Sequence, residues 1–140
     1  MNNTNRTGMD RGRFLRGLLG QSVVLVPLLS GALRRAPDRP AIPVLEAHIR
    51  GFGYHAGPQV LGRMRPGDAL DLVREPENPY DADAIAVYWS GYHVGYLPRE
   101  ENRTLARLLD GGAELRAQVL RTCPAGELWE QCAVRVELGV

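Results

Sequence analysis

The stretch Arg74–Glu100, REPENPYDADAIAVYWSGYHVGYLPRE, decides the fold. Two apolar runs, AIAVYW and YHVGYL, are separated by Ser90-Gly91, a two-residue loop of the kind that closes a tight β-hairpin. Pairing Trp89 with Tyr92 sets Val87 opposite Val94 and Ile85 opposite Tyr96, all on one face. Ala86, Tyr88, His93 and Gly95 share the other face. One face is needed for a core, and Gly95 on the other leaves room for a second backbone to come close. Ahead of the hairpin, PENPYDAD is too polar and too rich in turn formers to be a core element, so it reads as a loop set against the strand pair. Behind it, PREENRTLARLLDGG reads as a helix. Pro98 suits the first turn, Glu100 and Glu101 favour the N-terminal end, Leu105, Leu108 and Leu109 form an apolar stripe, and Gly111-Gly112 ends it.

Further out, the texture is of short strands. VLEAHIRGFGY, from Val44, is a strand that stops at Gly51 to Gly53, and DALDLVRE alternates as another. The piece between Gly57-Pro58 and Pro66-Gly67 is a short helix or irregular. ELRAQVLRTC and LWEQCAVRVEL form a second hairpin around PAGE. The fold class expected is mainly β: a small OB-like or SH3-like barrel of about six strands, with one short helix after the central hairpin.

The chain has 140 residues and a net charge of +1, room for one ordinary domain. Residues 1–40 carry seven Arg and two Asp, whereas 41–140 carry ten Arg against fourteen Asp and Glu. A basic head precedes a mildly acidic body, so any nucleic-acid binding by the body must come from a local patch. The head contains an apolar run, Gly17 to Leu33, between arginines. It has the layout of a bacterial signal peptide, with cleavage expected after Ala32 and Met9 as an alternative start. RGRFLR is similar to a twin-arginine export signal except that Gly12 replaces the second Arg. Gln21 and Pro27 argue against a membrane span, and an amphipathic helix packed on the body or on a membrane surface, through residues 11–35, is the other reading. Export or membrane association is slightly favoured over a cytoplasmic location. RRAPDRPAIP then reads as an extended linker. The domain division expected is 1–40 for the head and linker and 41–140 for the body.

Cys123 and Cys132 flank the PAGE turn, so a disulfide across that hairpin is geometrically open; two small buried apolar residues are the alternative. His48, His55 and His93 fit no ligand spacing with them, and neither a metal nor another cofactor is expected. No nucleophile elbow, phosphate-binding loop or pair of catalytic carboxylates is present, so no catalytic residue is assigned and no enzymatic activity is expected.

The run from Arg74 to Val87, with Asn78-Pro79-Tyr80-Asp81 at its centre and Ala84-Ile85-Ala86-Val87 after it, resembles the signature of the HIRAN domain. GYLPRE, Gly95 to Glu100, matches its second hallmark, and GFGYHAG, Gly51 to Gly57, matches an early glycine-aromatic segment more loosely. The resemblance covers about Val44 to Leu138. It implies an OB-like barrel. Some such domains stand at the front of DNA-remodelling helicases and others stand alone in bacteria. It also implies the helicase members' activity, a grip on the free 3′-hydroxyl end of single-stranded DNA, without catalysis.

That implication gives roles to Tyr54, His55, Asn78, Tyr80, Asp81, Tyr96 and Arg99. A carboxylate at Asp81 accepts hydrogen bonds and repels phosphate, so it can welcome a terminal hydroxyl and reject a continuing strand. Asp81 also suits a turn cap. Tyr54 and Tyr80 offer faces for bases or are ordinary rim aromatics. Tyr96 lies at the pocket or in the core, and Asn78 contacts a base or fixes its loop. Arg99 matches a phosphate-binding position, or is a solvated residue at the helix start. The early basic position of the helicase members is absent, leaving His55, with Arg50 nearby. An exported or tethered barrel would instead bind an envelope protein, a peptide or another envelope ligand through the same groove.

Overall fold

The computed structural model describes residues 39–140, so the expectations for the head, including residues 11–35, lie outside the described residues. Six antiparallel strands form one sheet: β1 (Ala41–His48), β2 (Ala69–Arg74), β3 (Ile85–Trp89), β4 (Tyr92–Tyr96), β5 (Leu115–Thr122) and β6 (Cys132–Gly139). Their spatial order is β1-β6-β5-β2-β3-β4. Helix α1 (Gly57–Val60) runs into a 3₁₀ turn at Leu61–Arg63, and α2 (Arg99–Asp110) follows the central hairpin.

The sheet curls until its two edges touch. Just past β1, the Arg50 N–H donates to the Tyr96 carbonyl at 2.8 Å, and the Tyr96 N–H donates back to Arg50 at 2.9 Å. One residue pair therefore stitches an OB-like barrel that is not otherwise closed. Gly95 makes the stitch possible. Its φ is +144°, and a Cβ there would run into the Arg50 carbonyl and the Ile49 side chain.

The core fills the barrel with Ile49, Phe52, Met64, Ile85, Val87, Val94, Val119, Val134 and Val136, all essentially without solvent contact. Helix α2 adds Leu105 and Ala106. Pro98 stands as its N-cap rather than inside its first turn, and Gly112 takes the left-handed conformation beyond its end, at φ +85°. At the other side of the barrel β1 and β6 run antiparallel, with Ala41 opposite Gly139.

The structure alters several sequence expectations. β1 starts at Ala41 and includes Pro43, so the strand takes in the last residues of the stretch read as an extended linker. Pro43 is tolerated because β1 is an edge strand, and the register shifts between Pro43 and Leu45. The last strand starts at Cys132 rather than Leu128. The Ser90-Gly91 loop is as expected, with φ of +47° and +84°. Beyond the Tyr88–His93 pair, however, the register shifts. Val87 faces Gly95 and Ala86 faces Tyr96, because Val94 is an extra residue in β4. A one-residue slip exchanges faces, so Tyr96 leaves the core side and joins Tyr88 and His93. Of the alternatives left open for the two cysteines, the structure shows no disulfide. Cys132 pairs in register with Thr122, and the Cys123 N–H donates to the Gln131 carbonyl. The two thiols are free, one buried and one exposed.

Candidate functional site

A cavity of about 540 Å³ opens between the Asn78–Ala84 loop, the end of β4 and the start of α2. Pro79, Ala84 and Leu97 supply its apolar wall, while Arg50, Asp81, Arg99 and Glu100 supply charge. Of the residues singled out from the sequence, His55, Asn78, Tyr80, Asp81, Tyr96 and Arg99 line it. Tyr54 does not; it stands beside His55 on a 3₁₀ turn and is 91% exposed.

The loop that carries Asp81 is held from three directions. Inside it, the Asn78 side-chain oxygen accepts the Tyr80 N–H at 2.9 Å and the Asp81 N–H at 3.3 Å, an Asx turn around Pro79. The Asn78 amide donates to Glu75 at 3.0 Å. Asn78 thus shapes the loop, and it lines the cavity as well. From β2, Arg74 donates to the Ala84 carbonyl at 2.8 Å and the Ala82 carbonyl at 3.0 Å, while its Nε contacts Asp110 at 2.9 Å. From α2, Asn102 is 2% exposed and donates its amide to Asp81 Oδ2 at 2.6 Å.

Asp81 makes the turn-cap contact and also lines the cavity. Its Oδ1 caps the turn by accepting the Asp83 N–H at 2.9 Å, and its Oδ2 meets Asn102 at the pocket wall. Partial burial works against the charge, but the Asn102 amide, the Asp83 N–H and the nearby Arg99 and Arg74 cations outweigh it. The carboxyl therefore sits below its ordinary value and is ionised near neutrality. Each carboxylate oxygen has two acceptor lone pairs, so a bound hydroxyl can still donate to Asp81.

Tyr96 donates its hydroxyl to Glu75 Oε1 at 2.9 Å, the same oxygen that receives the Asn78 amide. Burial, that hydrogen bond and the Glu75 charge push the phenol up to about 12, so it remains a neutral donor. Beside it the His55 and His93 rings lie 4.2 Å apart, and His93 stacks on Tyr88 at 4.9 Å. His93 Nε2 donates to the Gly95 carbonyl at 3.0 Å. Burial, then the His55 neighbour, lower its basicity against the pull of Gly95 and Glu75. His48 is elsewhere, edge-on to Trp129. Tyr80 is 85% exposed, an open aromatic face at the rim.

Sequence reasoning missed Asn102 and undervalued Arg74. In the sequence, Asn102 is one polar residue of a polar helix turn, and only the docking of α2 on the loop reveals its role. Arg50 was named only for proximity, and it does line the cavity.

The barrel and loop define a small β-barrel domain with a charged and aromatic terminal pocket, and comparison with known proteins gives its class. The HIRAN domain profile matches residues 42–139. The chain belongs to the HIRAN domain family. It is 45% identical over 71 residues to the Fanconi-associated nuclease 1 homolog of Oryza sativa subsp. japonica, and that match covers 48% of this chain but 7% of the rice protein. It is 37% identical over 67 residues to the helicase-like transcription factor of Oryctolagus cuniculus, covering 47% of this chain and 6% of that protein. The chain thus spans a small fraction of these long relatives. Among solved structures, a protein from Lactobacillus plantarum superposes with a TM-score of 0.61 at 26% identity, over 71% of this chain and 95% of that one. The HIRAN domain of human HLTF has the same fold, with a TM-score of 0.57 at 24% identity over 70% of this chain and 78% of that one.

Proposed function

We propose that this chain is a non-catalytic nucleic-acid-binding module that holds the 3′-hydroxyl end of single-stranded DNA in the Asp81 pocket. One observation carries the reading: an ionised carboxylate, aimed by Asn102 and the Asp83 N–H, lines a cavity that also contains Arg50 and Arg99. A terminal nucleotide presents a hydroxyl donor on one side of its sugar and a phosphate on the other. The hydroxyl donates to Asp81, and the preceding phosphate is drawn to Arg99 and Arg50. A 3′-phosphate would set anion against anion. Tyr80 and Tyr54 expose faces for the end bases, worth roughly 1–3 kcal/mol per stacked base and indifferent to sequence. The acidic body supplies no general attraction, so affinity comes from local contacts that begin at the end of the strand.

The test is fluorescence anisotropy of the full chain with otherwise identical oligonucleotides ending in 3′-hydroxyl or 3′-phosphate, at one fixed low salt concentration. The expected result is preference for the hydroxyl end, lost in Asp81→Ala. Equal binding of both ends would overturn the proposal.

A further inference from the structure

Helix α2 carries arginine at Arg99, Arg103 and Arg107, one every fourth residue. That spacing places them on one flank, about 6 Å apart along the axis. All three are exposed, and the Arg103 side chain is 75% exposed. The row starts in the cavity, since Arg99 lines it. Its second member lies beside the pocket loop, with Arg103 Nε 3.6 Å from Asp83 Oδ2. The opposing charges near the row are Asp81 and Glu100 at the cavity, Glu101 in the first turn of the helix, Asp83 and Asp110. Asp110 is engaged by Arg74 at 2.9 Å, which leaves the far end of the row without a neutralising contact from that carboxylate. The buried flank of α2, with Asn102, Leu105 and Ala106, faces the barrel, so the row follows the margin of the helix where it meets solvent.

We infer that the Arg103–Arg107 flank of α2 is a second binding surface, a track for the phosphodiester backbone of the nucleotides 5′ to the captured end. The inference rests on the end-holding reading of the Asp81 pocket and extends it from one nucleotide to a segment of strand. Continuity with Arg99 and charge complementarity point to a polyanion, and the regular stride suits a repeating phosphate rather than a single anion. Guanidinium groups suit this task because they stay charged and present several donors to phosphate oxygens. The contact is independent of base identity, so it adds affinity without adding sequence preference.

The experiment compares the full-length protein with the double variant Arg103→Gln/Arg107→Gln. The probes are 3′-hydroxyl and 3′-phosphate strands of roughly 2 nucleotides, whose single internucleotide phosphate reaches Arg99 alone, and of roughly 12, within the site sizes of small single-strand-binding barrels. Binding is measured over a salt series. The track predicts that the longer strand binds the wild type more tightly than the shorter, that the double variant loses most of this gain, and that its salt slope on the longer strand falls by about 1.4, or about 0.7 for each phosphate contact removed. The ratio of 3′-hydroxyl to 3′-phosphate binding stays unchanged, because Asp81 and Arg99 are untouched. An unchanged slope and length gain with that ratio intact overturns the track and leaves the pocket standing. A wild type with no end preference overturns the end-holding reading and the track with it.

Discussion

Tyr96 links the aromatic cluster to the motif loop through one hydroxyl. Its bond to Glu75 is shared with Asn78, so the same carboxylate oxygen holds a β4 side chain and the hinge of the Asn-Pro-Tyr-Asp turn. Tyr96→Phe keeps the ring contacts with His55 and His93 but removes the donor, which should cost about 1 kcal/mol in urea denaturation at neutral pH. The pH dependence has a definite sign. The folded phenol titrates at about 12, above its ordinary value of 10.0. The stabilisation is therefore complete below about pH 10, the unfolded value, and is lost as pH rises through about 12. The gap between wild type and Tyr96→Phe should narrow across that window and stay constant below it. Asp81 runs the other way. Its folded value is depressed, so its contribution is present above the unfolded value of about 4 and is lost as pH falls through the lower folded one.

At the scale of elements, the candidate site is a loop clamped between a strand and a helix. Arg74 grips it through two carbonyls from β2, and Asn102 reaches it from the first turn of α2. Asn102→Ala leaves a buried gap and removes a donor from an ionised partner, which should cost about 1–3 kcal/mol and raise hydrogen exchange across residues 78–84. Arg74→Lys cannot reproduce the forked contact with Asp110 and two carbonyls, and should loosen the same amides. How much of this was legible in the sequence depends on distance along the chain. The hairpin, the helix and the Asx-prone Asn78-Pro79 were readable because each is specified by residues within a few positions. The bulge at Val94 was not, since nothing local distinguishes it from an unbroken run; it accompanies the bridge between Tyr96 and Arg50, which is far away in the chain. Six of the seven residues singled out for binding do gather at one cavity. Asn102 escaped notice because its partner lies 21 residues away in the chain.

For the whole molecule, closure hangs on one glycine. A side chain at position 95 would strike the Arg50 carbonyl, and a φ of +144° is strained for any residue that carries a Cβ. Gly95→Ala should therefore destabilise the domain by more than about 2 kcal/mol, which lowers the melting temperature by roughly 8 °C or more in a domain of this size. Because the same stitch frames the cavity, binding should weaken in parallel. The pairing of β1 with β6 has a different consequence. Ala41 faces Gly139, and the Val140 N–H lies 3.4 Å from the Pro40 carbonyl, so the strands that begin and end the domain meet at one corner. The whole of β1, about 25 Å at roughly 3.3 Å per residue, lies between that corner and the pocket at Arg50. A domain with this layout behaves like a cartridge. Its two seams lie side by side, so insertion into a host loop or fusion at either seam should leave the pocket pointing away from the host.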